Sequence, residues 1–379
     1  MTLHRDVFDA EHRGFRQSVS RFIDSSVAPR FEAWEAASIV DRDFWDLAGK
    51  ASILCPQVPE ADGGTGDFRY NAVVIEEMSY AGFAGPAANL TAHSDVACGY
   101  VSAFAQAEVR SRWLPAMMSG SAVCAIAMTE PAAGSDLRGL RSRAVLDGDH
   151  YVLNGAKTFI SNGQHCDIAL VAARTDTDGK DGLSLFLVEA DSPGFEKGRN
   201  LEKLGQHSAD TSELSFVDVR VPVVNLLGEE AQALGYMMKM LPTERLIIAI
   251  ASMAAAQKAF DLTRSYVSTR QAFGKHIGTM QNTRFALADI KADLAVGWAY
   301  IDSCLTRMSA GTLDTEQASV AKLWVTEMHG RTVDRCLQFF GGYGYMKEYE
   351  ICRLYADARV QRIYGGTSEI MREVIARTL

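Results

Sequence analysis

Patterned cysteine is what this chain lacks most plainly. Its seven cysteines are odd in number, widely spread and never arranged as Cys-x-x-Cys, which excludes a disulfide framework or a zinc cluster and leaves them as buried thiols. The eight histidines form no His-Glu-x-x-His pair, so no zinc-hydrolase motif is present and no metal is expected. No block of Lys and Arg interrupts a net charge of −9, so the electrostatic footprint of a nucleic-acid binder is missing. The longest apolar stretch, Leu246 to Ala256, is broken by Ser252 and is too short to span a bilayer. The N-terminal "MTLHRDVFDAEHRGF" has no apolar signal region, and a cytoplasmic location is expected. No Gly-x-Gly-x-x-Gly follows a strand. The Gly-Lys pairs at Gly49, Gly179 and Gly274 are not followed by Ser or Thr, which removes the Rossmann and P-loop signatures. "GTSEI" is no Gly-x-Ser-x-Gly elbow, so Ser368 has no claim as a hydrolase nucleophile.

What is present is globular composition on a chain of 379 residues, long enough for two or three packed units. Residues 1–121 read as helices: Phe15, Val19, Phe22 and Ile23 share one apolar helical face. Asp41 can cap "RDFWDLAGKAS", and "YNAVVIEEMSYAG" and "EVRSRWLPAMMSG" end in glycine stops. Over 122–228 the hydrophobic period becomes two, in "AVCAIAM", "SRAVLDGDHYVLNG" with a hairpin around Asp147 to Asp149, "DIALVAART", "LSLFLVEA" and "SELSFVDVRV". Over 229–379 the chain is helical again, in segments near 243–272, 281–310, 315–339 and from 367. Helices, then sheet, then helices argue for an α+β chain.

Several polar-glycine segments stand where a ligand could lie. "AIAMTEPAAGSD" leaves a strand with the Thr129 and Ser135 hydroxyls beside Gly134, which suits an anionic phosphate but also an ordinary loop. "KTFISNG" sets Phe159 and Ser161 on one side of an extended chain, an apolar plane and a donor, or simply a half-buried strand. Arg270 follows a helix end, where a cation is favourable in any case. "QFFGGYGY" closes a helix with glycines that allow close backbone approach or only a stop.

Taken in order, "MTEPAAGSD", "NGAKTFISNG", "RQAFGKHIGTMQ", "QFFGGYGY" and "RIYGGTSEI" resemble the acyl-CoA dehydrogenase family across essentially the whole chain. The resemblance implies an N-terminal α-helical domain, a middle β-barrel-like domain and a C-terminal four-helix bundle. It also implies FAD, an acyl-CoA substrate, a place in fatty acid metabolism such as β-oxidation, electron transfer flavoprotein as oxidant, and a homotetramer built as a dimer of dimers. By the same resemblance Met128, Thr129, Gly134 and Ser135 would hold flavin and pyrophosphate, with Ser135 also near the thioester arm. Phe159, Ile160 and Ser161 would lie against the isoalloxazine. Arg270, Phe273, Gln281, Gln338, Gly341 and Gly342 would reach the adenosine diphosphate half in a neighbouring subunit. Thr367 and Glu369 would close the cofactor site, and Arg245, Tyr364, Gly365 and Gly366 would meet the substrate.

Many members carry the catalytic glutamate as the first residue after the tyrosine, where this chain has Gly365. "LPTERLIIA" resembles the long-chain and isovaleryl branches, whose base lies at a similar "ERL", so the resemblance gives the role to Glu244. The residues alone allow another reading, because a glutamate after Pro242 is also what a first helical turn favours. Gly365 N–H would then polarise the thioester carbonyl together with a ribityl hydroxyl of FAD. Ala132 replaces a glycine common in the family, which matters only where φ is positive. An oxygen-using relative (acyl-CoA oxidase or flavin monooxygenase) or a non-catalytic member are the alternatives.

Overall fold

A computed structural model describes residues 5–177 and 180–379. Met1 to His4 of the N-terminal reading, and Gly179 among the Gly-Lys pairs, lie outside the described residues.

Seven α-helices come first among the described residues: α1 Ala10–Phe22, α2 Phe31–Ala37, α3 Asp43–Lys50, α4 Phe68–Tyr80, α5 Ala84–Leu90, α6 Cys98–Phe104 and α7 Ala107–Ser119. Asp9 and Asp67 cap α1 and α4 through their carboxylates, and Gly120, with φ 78°, stops α7 as its glycine predicts. Asp41 does not cap α3; that helix starts at Asp43 and Arg42 makes no side-chain cap. A π-helical stretch, Thr91–Ala97, joins α5 to α6 and shifts the helical face just before Tyr100.

The strands are β1 Cys124–Ala127, β2 Arg143–Asp147, β3 His150–Ser161, β4 Ile168–Thr177, β5 Lys180–Glu189, β6 Phe195–Asn200, β7 Thr211–Pro222 and β8 Leu226–Leu227. They form one sheet in the order β6-β7-β3-β2-β4-β5-β8, with β1 parallel to β4. The expected hairpin joins β2 to β3, with Asp147 opposite His150 and Gly148 at φ 65°. The sheet curls on itself, so that Tyr151 of β3 packs on Phe186 of β5 with ring centroids 4.9 Å apart. Strand β4 is buried on both faces. Ala169, Val171 and Ala173 fill the barrel-like interior, while Ile168, Leu170 and Ala172 face the helical core.

The C-terminal third holds α8 Ala233–Thr269, a small hairpin of β9 Gln271–Ala272 and β10 Lys275–His276, then α9 Gln281–Ser309, α10 Thr315–Phe340, α11 Glu350–Ala358 and α12 Ser368–Ala376. Helices α8, α9 and α10 pack together, and α11 and α12 close against α10. A capping box of Asp314 and Gln317 starts α10. Helix α8 begins ten residues before the start expected from Pro242, which lies inside it. The proline removes one backbone hydrogen bond, yet the buried Ala233 and Met237 keep the preceding turns packed. Glu244 is therefore mid-helix, and the first-turn account of it fails. By length and composition α8 is also able to cross a membrane, contrary to the short apolar run read from sequence; 67% of its most apolar window is buried against the rest of the chain. The sequence reading does not foresee β6, β8 or α11.

Candidate active site

Glu244 lies half-buried on α8. Its Oε1 accepts a hydrogen bond of 2.9 Å from the hydroxyl of Tyr100, which is 1% exposed on α6. Burial pushes the Glu244 carboxyl above its usual range, against the hydrogen bond from Tyr100 and the charge of Arg245. Burial, with Glu244 alongside, likewise pushes the Tyr100 phenol up, so Tyr100 stays a donor. One helical turn beyond Glu244 stands Ile248, and a Cβ built on Gly365 would lie 2.3 Å from Ile248 Cδ1. The glycine turn thus sits directly on the Glu244 face of α8.

Gly365 and Gly366 have φ of 62° and 93°, in the region glycine alone enters freely. Tyr364 precedes them, its hydroxyl donating to Gln361 Oε1 at 2.8 Å. Among the described residues, neither the Gly365 N–H nor the Gly366 N–H has an acceptor. Thr367 caps α12 by accepting from the Ile370 N–H, and Glu369 is 79% exposed and pairs with Arg372 at 3.7 Å. Glu369 therefore faces solvent, Glu327 of α10 accepts from Ser368 Oγ at 2.7 Å, and Glu244 is the carboxylate on the Gly365 face of α8.

Arg245 is buried and donates to Ser319 Oγ of α10 at 2.9 Å. Three residues further along α10, the fully buried Lys322 donates to the Gly366 carbonyl at 2.5 Å.

Along the sheet edge, Thr129 and Met128 are half-buried and Gly134 and Ser135 are exposed, with nothing within 4 Å of a Cβ at Gly134. Ala132 is not among the residues of positive φ, so its replacement of glycine carries no strain. Phe159 is 68% exposed and adopts φ 60° at a register shift between β3 and β7, so a bulge, rather than a regular pleat, turns its ring outward. Ser161 is half-buried on the same strand, while the Ile160 side chain is buried in the barrel interior and leaves only its backbone to a ligand.

A buried ion pair anchors this loop, and the sequence reading missed it. Lys157 Nζ donates to Glu130 Oε1 at 2.8 Å and to the carbonyls of Met128 and Ala172 at 3.1 and 2.7 Å. Glu130 also accepts from the N–H groups of Arg141 and Ser142, and these bonds hold its carboxyl down at about 2 despite burial. A lysine at an inward-facing strand position was the available signal.

The remaining predicted residues stand elsewhere. Arg270 ends α8 about 26 residues beyond Glu244, or about 39 Å along the helix at 1.5 Å per residue. It lies over the Tyr343 ring at 5.8 Å, and Phe273 beside it is 94% exposed. Gln281, Gln338, Gly341 and Gly342 are also exposed. Within one chain this group cannot share a ligand with Glu244.

Three family models match in sequence: acyl-CoA dehydrogenase N-terminal domain over residues 9–121, middle domain over 125–219 and C-terminal domain over 234–379. A relative from Sus scrofa, long-chain specific acyl-CoA dehydrogenase, mitochondrial, is 44% identical over 379 residues, covering 99% of this chain and 88% of that one. Its mitochondrial label lends the cytoplasmic expectation no support. Among solved structures, an acyl-CoA dehydrogenase from Geobacillus kaustophilus is 42% identical with a TM-score of 0.96, covering 99% of each chain. A chain from the electron transferring flavoprotein structure of Acidaminococcus fermentans is 30% identical with a TM-score of 0.93, covering 100% of this chain and 99% of that one. The acyl-CoA dehydrogenase complexed with FAD from Bacillus anthracis is 30% identical with a TM-score of 0.91, covering 98% of this chain and 67% of that one.

Proposed function

The chain belongs to the acyl-CoA dehydrogenase family, and from that premise we propose that Glu244 is the base of a flavin-dependent α,β-dehydrogenation that converts an acyl-CoA thioester to its trans-2-enoyl form. The observation that carries this reading is the contact of Gly365 with Ile248, one helical turn from the half-buried Glu244 carboxylate. A base needs access to the α-carbon and a pKa lifted toward the working pH, and burial supplies the lift for Glu244. Tyr100 holds one carboxylate oxygen, and the other would face the acyl chain. The Gly365 N–H, free of any protein acceptor among the described residues, would donate to the thioester carbonyl as negative charge builds there.

The residues present fit FAD. An outward aromatic at Phe159 offers a flat apolar surface, and the open cradle at Gly134 with the Thr129 and Ser135 hydroxyls offers donors for phosphate oxygens. Met128, the Ile160 backbone, Ser161 and Thr367 would complete that wall, with Glu369 at its solvent edge. FAD, when bound, supplies the acceptor for the β-hydride. Arg270, Phe273, Gln281, Gln338, Gly341 and Gly342, remote from Glu244 along α8, would serve the flavin of a neighbouring subunit in a homotetramer, where a guanidinium suits a pyrophosphate. Similarity to a chain from an electron transferring flavoprotein structure supports that protein as electron acceptor.

The test is Glu244→Gln. The purified variant should stay yellow and lose at least ~10²-fold in palmitoyl-CoA-driven flavin bleaching. Bleaching at the wild-type rate would reassign the base.

A further inference from the structure

Lys322 is 0% exposed, and an ammonium so deeply buried is costly to a fold unless its hydrogen bonds and charge are used. Among the described residues its one hydrogen bond goes to the carbonyl of Gly366. That carbonyl belongs to a turn with few other restraints. The N–H groups of Ile363 and Tyr364 bond back to Val360, and Thr367 caps α12, so both ends are fixed. Between them stand two glycines of positive φ whose own N–H groups find no acceptor among the described residues. Glycine pairs carry the widest backbone freedom of any sequence, so the middle of the turn needs an outside anchor to hold one conformation.

We propose that Lys322 is a positioning residue: its ammonium fixes the Gly366 carbonyl, and through the linked peptide planes aims the Gly365 N–H at the thioester carbonyl. The claim rests on the reading of Gly365 given above. Lys322 also closes a ring of contacts around the site. Glu244 neighbours Arg245 on α8, Arg245 bonds Ser319 of α10, Lys322 lies one turn beyond Ser319 and bonds Gly366, and Gly365 rests on Ile248, one turn beyond Glu244. The turn and the base are therefore set by the same two helices. Burial holds the Lys322 ammonium down at about 8, Arg245 pushing the same way while Glu327 and Glu369 oppose, so at neutral pH the charged donor predominates.

The experiment compares holoenzyme carrying Lys322→Met, Lys322→Gln or no substitution, by hydrogen–deuterium exchange without substrate and by palmitoyl-CoA turnover. Lys322→Met should retain FAD and leave exchange in α8 and α10 unchanged. The segment 362–368 should take up deuterium at least ~10-fold faster, and kcat should fall ~10-fold or more with KM altered less than ~3-fold. Lys322→Gln, which keeps a neutral donor on a shorter stem, should lie between the two and provides the comparison where the methionine variant folds poorly. A yellow, folded Lys322→Met or Lys322→Gln protein whose 362–368 exchange matches wild type overturns the proposal, whatever its activity. Wild-type protein that binds FAD but is not bleached by any CoA thioester overturns the functional reading instead, since the exchange comparison needs no substrate.

Discussion

Placing an alanine at 365 tests whether the glycine turn lies on α8. An L-residue at φ 62° costs about 1–2 kcal/mol through its Cβ alone. Here the new Cβ would also stand 2.3 Å from Ile248 Cδ1, while the next atom of that side chain, Cγ1, is at 3.8 Å in ordinary contact. Ile248 must leave its rotamer to make room, at about 0.5–1.5 kcal/mol. Ile248→Val deletes the clashing methyl and by itself costs about 0.5–1.5 kcal/mol, toward the low end for a half-buried side chain. In the double variant the clash term vanishes and only the backbone strain remains. The two substitutions should thus be less harmful together than their sum, by about 0.5–1.5 kcal/mol. Urea unfolding of the four proteins at saturating FAD reads the stability cycle, and palmitoyl-CoA bleaching reads the same cycle in rate. Additivity within about 0.3 kcal/mol in both would mean that Ile248 does not cover Gly365, and the placement of Glu244 beside the turn would go with it.

Two further outcomes follow from the buried charges. Lys157→Met strands Glu130 without its cation and should cost about 3–5 kcal/mol and lower FAD occupancy, measured by denaturant titration and by the flavin-to-protein absorbance ratio; unchanged occupancy would show that the 128–136 loop does not need this anchor. Glu244→Gln should raise the melting temperature at pH 8 more than at pH 5. The folded carboxyl binds its proton more tightly than the unfolded one, so its contribution is favourable at low pH and is lost as pH rises through the folded pKa, which a neutral amide escapes. An equal shift at both pH values would mean that burial does not perturb this carboxyl.

Features with a local period were legible in the sequence. Strands β2, β3 and β7 show alternation, β4 and β5 show short apolar runs, α1 shows an apolar stripe, and the β2–β3 hairpin shows its Asp-Gly turn. The helix starts expected near 281 and 315 were legible, but the one cap read from the sequence, Asp41, is not used, and the start at Pro242 was misread because packing of Ala233 and Met237 outweighs the proline. Short elements such as β6, β8 and α11 escape because a few residues hold no full period. Much of the site escapes for a different reason. Tyr100 and Glu244 are 144 residues apart, Lys322 and Gly366 are 44 apart, and Lys157 and Glu130 are 27 apart. Each is one polar group on an apolar face, a pattern that becomes meaningful only when its partner is known. The resemblance located Glu244 and Gly365 separately, but what joins them is the side chain of Ile248, a residue with no chemistry of its own.

That joining residue also explains why a carboxylate at 365 and an isoleucine at 248 are poorly compatible. Any side chain at 365 begins with a Cβ, and its space is already filled by Ile248 Cδ1. A base entering from the turn would have to displace the apolar side chain that seals α8, and would do so from a backbone angle that penalises every residue except glycine. A base on α8 avoids both costs. It lies in helical geometry, takes a hydrogen bond from a phenol fixed in the core, and keeps the turn free to present its N–H groups. On the proposed reading, proton removal and carbonyl polarisation are divided between two elements in van der Waals contact, and rigidity in α8 would serve the first as the Lys322 anchor from α10 would serve the second.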